Sequence, residues 1–107
     1  MTPEKINEYG DALFEALRER RTLVPLTERE PGITIEDAYR ISRVFLQLRI
    51  AAGERVVGKK IGVTSKPVQD MLGVFQPDFG FLTEAMEYPD GSDIAIAGNM
   101  ILSLIHI

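Results

Sequence analysis

Cysteine is absent from the 107-residue chain, which excludes disulfides, a thiol nucleophile and thiolate metal sites. A reducing cytoplasm suits such a chain. Lysine and arginine total 12 against 16 aspartate and glutamate residues, for a net charge of -4. The basic surplus that marks general nucleic-acid binding is therefore missing. No apolar run approaches the ~20 residues that span a bilayer. The opening Thr2-Pro3-Glu4 lacks the basic start and apolar stretch of an export signal. The expectation is a cytoplasmic protein with neither membrane nor nucleic acid as partner. Histidine occurs once, at His106, and without partners it reads as packing or tail rather than catalysis. No internal repeat or low-complexity segment is visible.

What is present is ordinary for a soluble globular chain, with 45% hydrophobic and 26% charged residues. The length holds one small domain with a thin core. Ile6, Tyr9, Leu13, Ala16 and Leu17 recur at helical spacing, with Thr2 as N-cap and Pro3 at the first helical position. The spacing predicts a helix from about residue 3 to about residue 20. Residues 21 to 32 contain Pro25, Pro31 and Gly32 and should be irregular. Thr34 and Asp37 form a weak capping box, with Ile33 able to staple onto Ala38. Ala38, Ile41, Phe45, Leu48 and Ala52 then line one face of a second helix that Gly53 can close. The two stripes should pack against each other.

From Arg55 the period changes. Residues 55 to 63, Arg-Val-Val-Gly-Lys-Lys-Ile-Gly-Val, read as a strand whose glycines allow close backbone approach. Ser65 can cap a short helix carrying Val68, Met71 and Leu72 and ended by Gly73. The run Tyr88-Pro89-Asp90-Gly91-Ser92 is a turn, and Ile94 with Ile96 predict a brief strand after it.

Several patterns carry potential chemistry. The stretch from Gly53 to Lys60 falls one residue short of a phosphate-binding loop, because Lys60 stands where Ser or Thr should hold magnesium and a strand rather than a helix follows. The likeness to a nucleotide-binding loop is therefore a coincidence of spacing. Lys59 and Lys60 are adjacent on a strand, so they point to opposite faces, one to solvent and one inward. An ordinary exposed pair is the commoner arrangement; an inward lysine needs a partner and would mark a functional site. Asp78 stands in Gln76-Pro77-Asp78-Phe79-Gly80-Phe81. Burial beside phenylalanine would make it a usable acid or base, while a turn aspartate bonded to its own backbone is the plainer alternative. Glu84, Glu87, Asp90 and Asp93 lack regular ligand spacing and fit a solvated loop.

Longer stretches bear a more specific resemblance. Residues 51 to 66 (AAGERVVGKKIGVTSK), 68 to 74 (VQDMLGV) and 76 to 80 (QPDFG), with Pro25-Leu26-Thr27 and Glu36-Asp37-Ala38-Tyr39 upstream, resemble the 2-hydroxypenta-2,4-dienoate (2-keto-4-pentenoate) hydratases of meta-cleavage aromatic degradation. The likeness runs over about residues 5 to 97. It implies a fumarylacetoacetate hydrolase-like fold, in which a small N-terminal α/β (α+β) region of two packed helices and short strands precedes a β-rich C-terminal domain. It further implies a hydro-lyase that converts 2-hydroxypenta-2,4-dienoate to 4-hydroxy-2-oxopentanoate with Mg2+ or Mn2+, which would favour a ketonised, conjugated intermediate. By the same resemblance Lys60 is the active-site lysine and Asp78 the aspartate for proton transfer. A homo-oligomer and association with 4-oxalocrotonate decarboxylase are implied partners.

The family's metal-binding glutamates, two of them in Glu-x-Glu, should follow residues 94 to 96. The chain instead runs Gly98-Asn99-Met100-Ile101-Leu102 toward Ile107. Residues 1 to 99 are accordingly expected to be the N-terminal region of such a hydratase, and residues 100 to 107 a tail foreign to it. With no metal ligand in this chain and the β-rich domain missing, the chain by itself should be inactive. The alternatives are 4-oxalocrotonate decarboxylase, whose version of the 76 to 80 motif reads differently, and a non-catalytic interaction fragment.

Overall fold

The computed structural model describes residues 1–95. Its first helix, α1 (Pro3–Glu19), starts where the sequence supplies a cap. The Thr2 side chain accepts from the Lys5 N–H at 3.3 Å, and proline occupies the first turn. Arg20 ends the helix in a left-handed conformation, φ 54°. The irregular stretch expected over 21 to 32 contains a one-turn helix, α2 (Leu26–Arg29), which follows Pro25 and places Leu26 against the core. Tertiary packing, not propensity, explains so short a helix.

The longer helix α3 (Ile35–Ala51) opens on the predicted capping box. The Thr34 Oγ1 accepts from the Asp37 N–H at 3.1 Å, and the Asp37 carboxylate accepts from the Thr34 N–H at 3.2 Å. That backbone hydrogen bond is the main reason the Asp37 carboxyl is held below its ordinary value. Helices α1 and α3 pack through Ile6, Tyr9 and Ile41, with Leu13, Leu26, Ile33 and Val44 around them. Two expectations for α3 shift here. Val44 joins the core, while Ala38 and Ala52 are exposed. Gly10 permits the close approach, since a Cβ on it would lie 2.3 Å from Val44 Cγ1. Tyr9 and Lys5 fix the α2 segment by hydrogen bonds to Glu30, the Tyr9 hydroxyl donating at 2.9 Å.

The second layer is an antiparallel hairpin of β1 (Val56–Gly62) and β2 (Asp78–Thr83). The pairs include Lys59 with Phe81, Lys60 with Gly80 and Gly62 with Asp78, and a bulge lies between Val56 and Gly58. Between the strands runs α4 (Lys66–Leu72), capped by the Ser65 side chain and closed by Gly73 at φ 72°, as the sequence predicts. A 3-10 turn (Glu84–Met86) follows β2, then the 88–92 turn, where the Ser92 N–H donates to the Pro89 carbonyl at 3.0 Å. Ile94 is not in a strand, and Ile96 lies outside the described residues together with His106 and the 100–107 tail. The whole is α+β. No helix of the described residues is long and apolar enough to cross a membrane.

One buried polar cluster ties the layers together. Arg49, near the end of α3, donates from Nε to both Glu54 oxygens at 3.0 Å and from Nη2 to Oε1 at 2.8 Å. The hydroxyl of Thr83, 1% exposed at the end of β2, donates to Glu54 Oε1 at 2.6 Å. The Arg49 guanidinium is the main cause holding the Glu54 carboxyl below its ordinary value, with burial opposing and Thr83 assisting.

Candidate active site

The pleat of β1 decides which lysine can meet which carboxylate. Alternation puts Gly58, Lys60 and Gly62 on one face of the hairpin, opposite Leu82, Gly80 and Asp78 of β2. Lys59 goes to the other face, where its Nζ lies 6.0 Å from the centre of the Phe81 ring. Three of the six positions on the Lys60 face are glycine, so its middle carries almost no side-chain bulk.

Lys60 lies across that bare surface. A Cβ added to Gly80 would be 3.3 Å from Lys60 Cγ. Its ammonium then reaches the end of the hairpin, where Asp78 arrives from the partner strand. A Cβ on Gly62 would lie 2.5 Å from Asp78 Oδ1 and 3.4 Å from Lys60 Nζ. The space above Gly62 is thus flanked by an acceptor and a cation, and any side chain there would collide with the carboxylate. Among the described residues neither Lys60 nor Asp78 has a salt-bridge partner. Such an arrangement can hold an anionic oxygen beside the ammonium and exchange a proton at the carboxylate.

The structure brings together both residues singled out in the sequence. Lys60 and Asp78 are both exposed, which agrees with the commoner exposed lysine pair and not with an inward lysine or an aspartate buried beside phenylalanine. The hairpin face that carries them has no second layer among the described residues. Asp78 also stands in a strand rather than a turn, because pairing with β1 overrides the local Pro77 and Gly80 signals.

Next to Asp78 is a largely apolar cleft of about 360 Å³ between α3 and the segment from Val63 to Phe79, lined among others by Ala38, Tyr39, Leu72 and Val74. The Tyr39 hydroxyl accepts from the Phe79 N–H at 3.1 Å, and the two rings pack at 6.4 Å, tilted by 48°. Nothing in the helical periodicity singled out Tyr39. Its signal in the sequence was its place in the family-like stretch Glu36-Asp37-Ala38-Tyr39.

The acids Glu84, Glu87, Asp90 and Asp93 are all exposed, and Glu84 pairs with Arg55 at 3.4 Å. Among the described residues no group of three or more Asp, Glu or His side chains converges to hold a metal ion. Asp78 supplies one carboxylate, and the residues described do not form a cation site.

No family model matches the chain. Similar proteins nonetheless agree with one another. Over 91 residues the chain is 64% identical to a 2-hydroxyhexa-2,4-dienoate hydratase of Comamonas testosteroni, covering 85% of this chain and 34% of that protein. Over 96 residues it is 58% identical to a 2-hydroxypent-2,4-dienoate hydratase of Pseudomonas putida, covering 90% and 43%. A 2-keto-4-pentenoate hydratase of Paraburkholderia xenovorans (strain LB400) is 40% identical over 97 residues, covering 91% and 36%. Among solved structures, 4-oxalocrotonate decarboxylase from Pseudomonas putida G7, complexed with magnesium and adipate, superposes with a TM-score of 0.75 at 27% identity, over 79% of this chain and 32% of that one. The same enzyme complexed with calcium and acetate gives a TM-score of 0.76. The chain spans between a third and a half of the length of these three curated relatives.

Proposed function

We propose, on the premise that this chain is homologous over most of its length to the 2-keto-4-pentenoate hydratases, that it is part of a hydro-lyase. The whole protein would add water to 2-hydroxypenta-2,4-dienoate and release 4-hydroxy-2-oxopentanoate, in the meta-cleavage breakdown of aromatic compounds. One observation carries this reading beyond the homology: Lys60 Nζ and Asp78 Oδ1 converge over the bare Cα of Gly62.

The chemistry assigns each group a task. The substrate is an anion whose 2-hydroxyl proton must leave, and ketonisation moves a proton to C5. Water then adds across C3 and C4, its oxygen to C4 and its proton to C3. The Lys60 ammonium stabilises negative charge on the substrate oxygens as the 2-hydroxyl ionises. The Asp78 carboxylate accepts and returns protons at the carbon chain. The glycine floor lets a flat conjugated molecule lie against the sheet between them.

The magnesium bound to the related decarboxylase supports a divalent cation, Mg2+ or Mn2+, in the whole protein. The residues described here do not supply its site, so this chain by itself should be inactive. Residues 1 to 99 form the hydratase region in this reading, and 100 to 107 stand apart from it. Its partners are the dienoate, further copies of the protein and 4-oxalocrotonate decarboxylase; its location is the cytoplasm, away from membranes and nucleic acid.

A second reading, decarboxylation of 4-oxalocrotonate, is favoured by the structural match. The identity of 58–64% to hydratases against 27% to the decarboxylase weighs for hydration. Assaying the whole protein on both substrates separates the two. Loss of dienoate absorbance in the unsubstituted protein but not in Lys60→Ala is the expected result. Carbon dioxide release from 4-oxalocrotonate without dienoate hydration would overturn it.

A further inference from the structure

Immediately after Gly62, Val63 has φ 54°. That is the left-handed region, which a β-branched residue rarely adopts because its Cβ crowds the backbone. Three glycines, Gly53, Gly73 and Gly91, take positive φ elsewhere at no such cost. Val63 is there because the chain must leave β1 and enter α4, whose cap Ser65 stands only two residues on. Ser65 fixes the start of that helix by accepting from the Val68 N–H and makes no hydrogen bond to the carbonyl of Val63. Gln69 does: its Nε2 donates to the Val63 carbonyl at 3.0 Å in a half-buried setting.

We infer that Gln69 is a positioning residue for the Lys60 and Asp78 pair, acting through the backbone of Val63. The step from one to the other is short. Gly62 is paired in register with Asp78, and the Lys60 and Asp78 head groups both approach its Cα. The Gly62–Val63 peptide sets how the end of β1 faces Asp78. Strained backbone persists only where its surroundings hold it, and here the amide of Gln69 is the side chain that does so. Released, Val63 would fall back to the ordinary negative φ and turn Gly62 away from Asp78. The inference deepens the reading of Lys60 and Asp78 as one site, but its test needs no turnover.

The test uses the full 107-residue chain, isotopically labelled, and reads the nuclear Overhauser effect between the Gly62 α protons and the Asp78 β protons, which face each other across the hairpin. The unsubstituted chain should show it. Gln69→Ala and the isosteric Gln69→Glu, which at neutral pH offers no donor to the carbonyl, should both lose it. Adding Val63→Gly to either should restore it, because glycine holds that φ without help. Thermal unfolding of each variant identifies any that fails to fold, and the Glu variant stands in if the Ala variant does so. Persistence of the effect in a folded Gln69 variant would reduce Gln69 to a local brace of α4 and overturn the inference. Its absence from the unsubstituted chain, or from the double variants as from the single ones, would do the same. Lack of hydratase activity in the whole protein would leave these outcomes untouched and would count only against the proposed reaction.

Discussion

The helical pair and the hairpin solve opposite problems with similar lengths of chain. Helices α1 and α3 bury Ile6, Tyr9, Ala16 and Ile41 between them, and Ile41 is 1% exposed. In the hairpin and its connection, Thr83 alone among the described residues is buried, while Phe75 is 98% and Met71 75% exposed. The helical layer uses its apolar residues to close itself. The hairpin leaves one face stripped to glycine and puts a cation and a carboxylate there. The buried core and the proposed site thus lie in separate layers, joined through Arg49, Glu54 and Thr83 and through the Tyr39 contact with Phe79. Changes in one layer should therefore spare the property carried by the other.

The largest effect belongs to the hairpin. In the whole protein, Lys60→Ala should lower the proposed hydratase turnover by roughly 100-fold or more, while Lys59→Ala, on the opposite face, should leave it within a few-fold. Equal losses at unchanged folding would erase the distinction between the faces. Asp78→Asn should also cost about 100-fold in kcat with little change in KM, since Asn keeps the shape without the titrating group. A near-normal rate would return Asp78 to a strand residue of no chemical role.

In the joint between the layers, Arg49→Ala leaves the Glu54 carboxylate partly buried and unpaired, and should cost about 3 kcal/mol in urea unfolding. A loss below about 1 kcal/mol would mean the layers are held by other contacts. In the helical layer, Gly10→Ala gains helix propensity of about 1 kcal/mol but drives a methyl into the stiff Val44 side chain. The net should be a loss of about 1 kcal/mol, or roughly 4–8 °C in Tm. An increase in Tm would show that the helices can move apart freely.

The smallest effect is a pH dependence. The Glu54 carboxyl is held below its ordinary value of 4.5 by Arg49. Its contribution to stability is therefore fully present above pH 4.5 and is lost as the pH falls through the lowered value of the folded state. Glu30, held low chiefly by Lys5, and Asp37 act in the same direction. Comparing Tm from pH 7 to pH 3 in the unsubstituted chain and in Glu54→Gln should show a shallower decline in the variant. Identical slopes would remove Glu54 from the acid response.

The layers also differ in how much of them can be read from residue order. Periodicity and caps are local, so α1, α3, α4 and the Thr34 to Asp37 box follow from neighbours a turn apart. The identity of β1 follows from its β-branched run. Strand β2 does not, because Pro77, Asp78 and Gly80 favour a turn until β1 supplies hydrogen-bonding partners. Arg49 and Thr83 look like surface residues because their partners stand 5 and 34 residues from Arg49. The pleat separates Lys59 from Lys60 but cannot say which one meets a carboxylate. That choice came from the family resemblance, and the register pairing Gly62 with Asp78 supplies its geometry.

The contact of Tyr39 with Phe79 has a consequence for assembly. An outer strand normally offers its free amides to any extended chain that comes alongside. On β2 the Phe79 amide is already taken, by a phenol from a helix instead of by a carbonyl from a neighbouring strand. The helical layer thereby acts as a stopper on the hairpin, and an incoming strand could zip onto β2 past this point only by prying Tyr39 away.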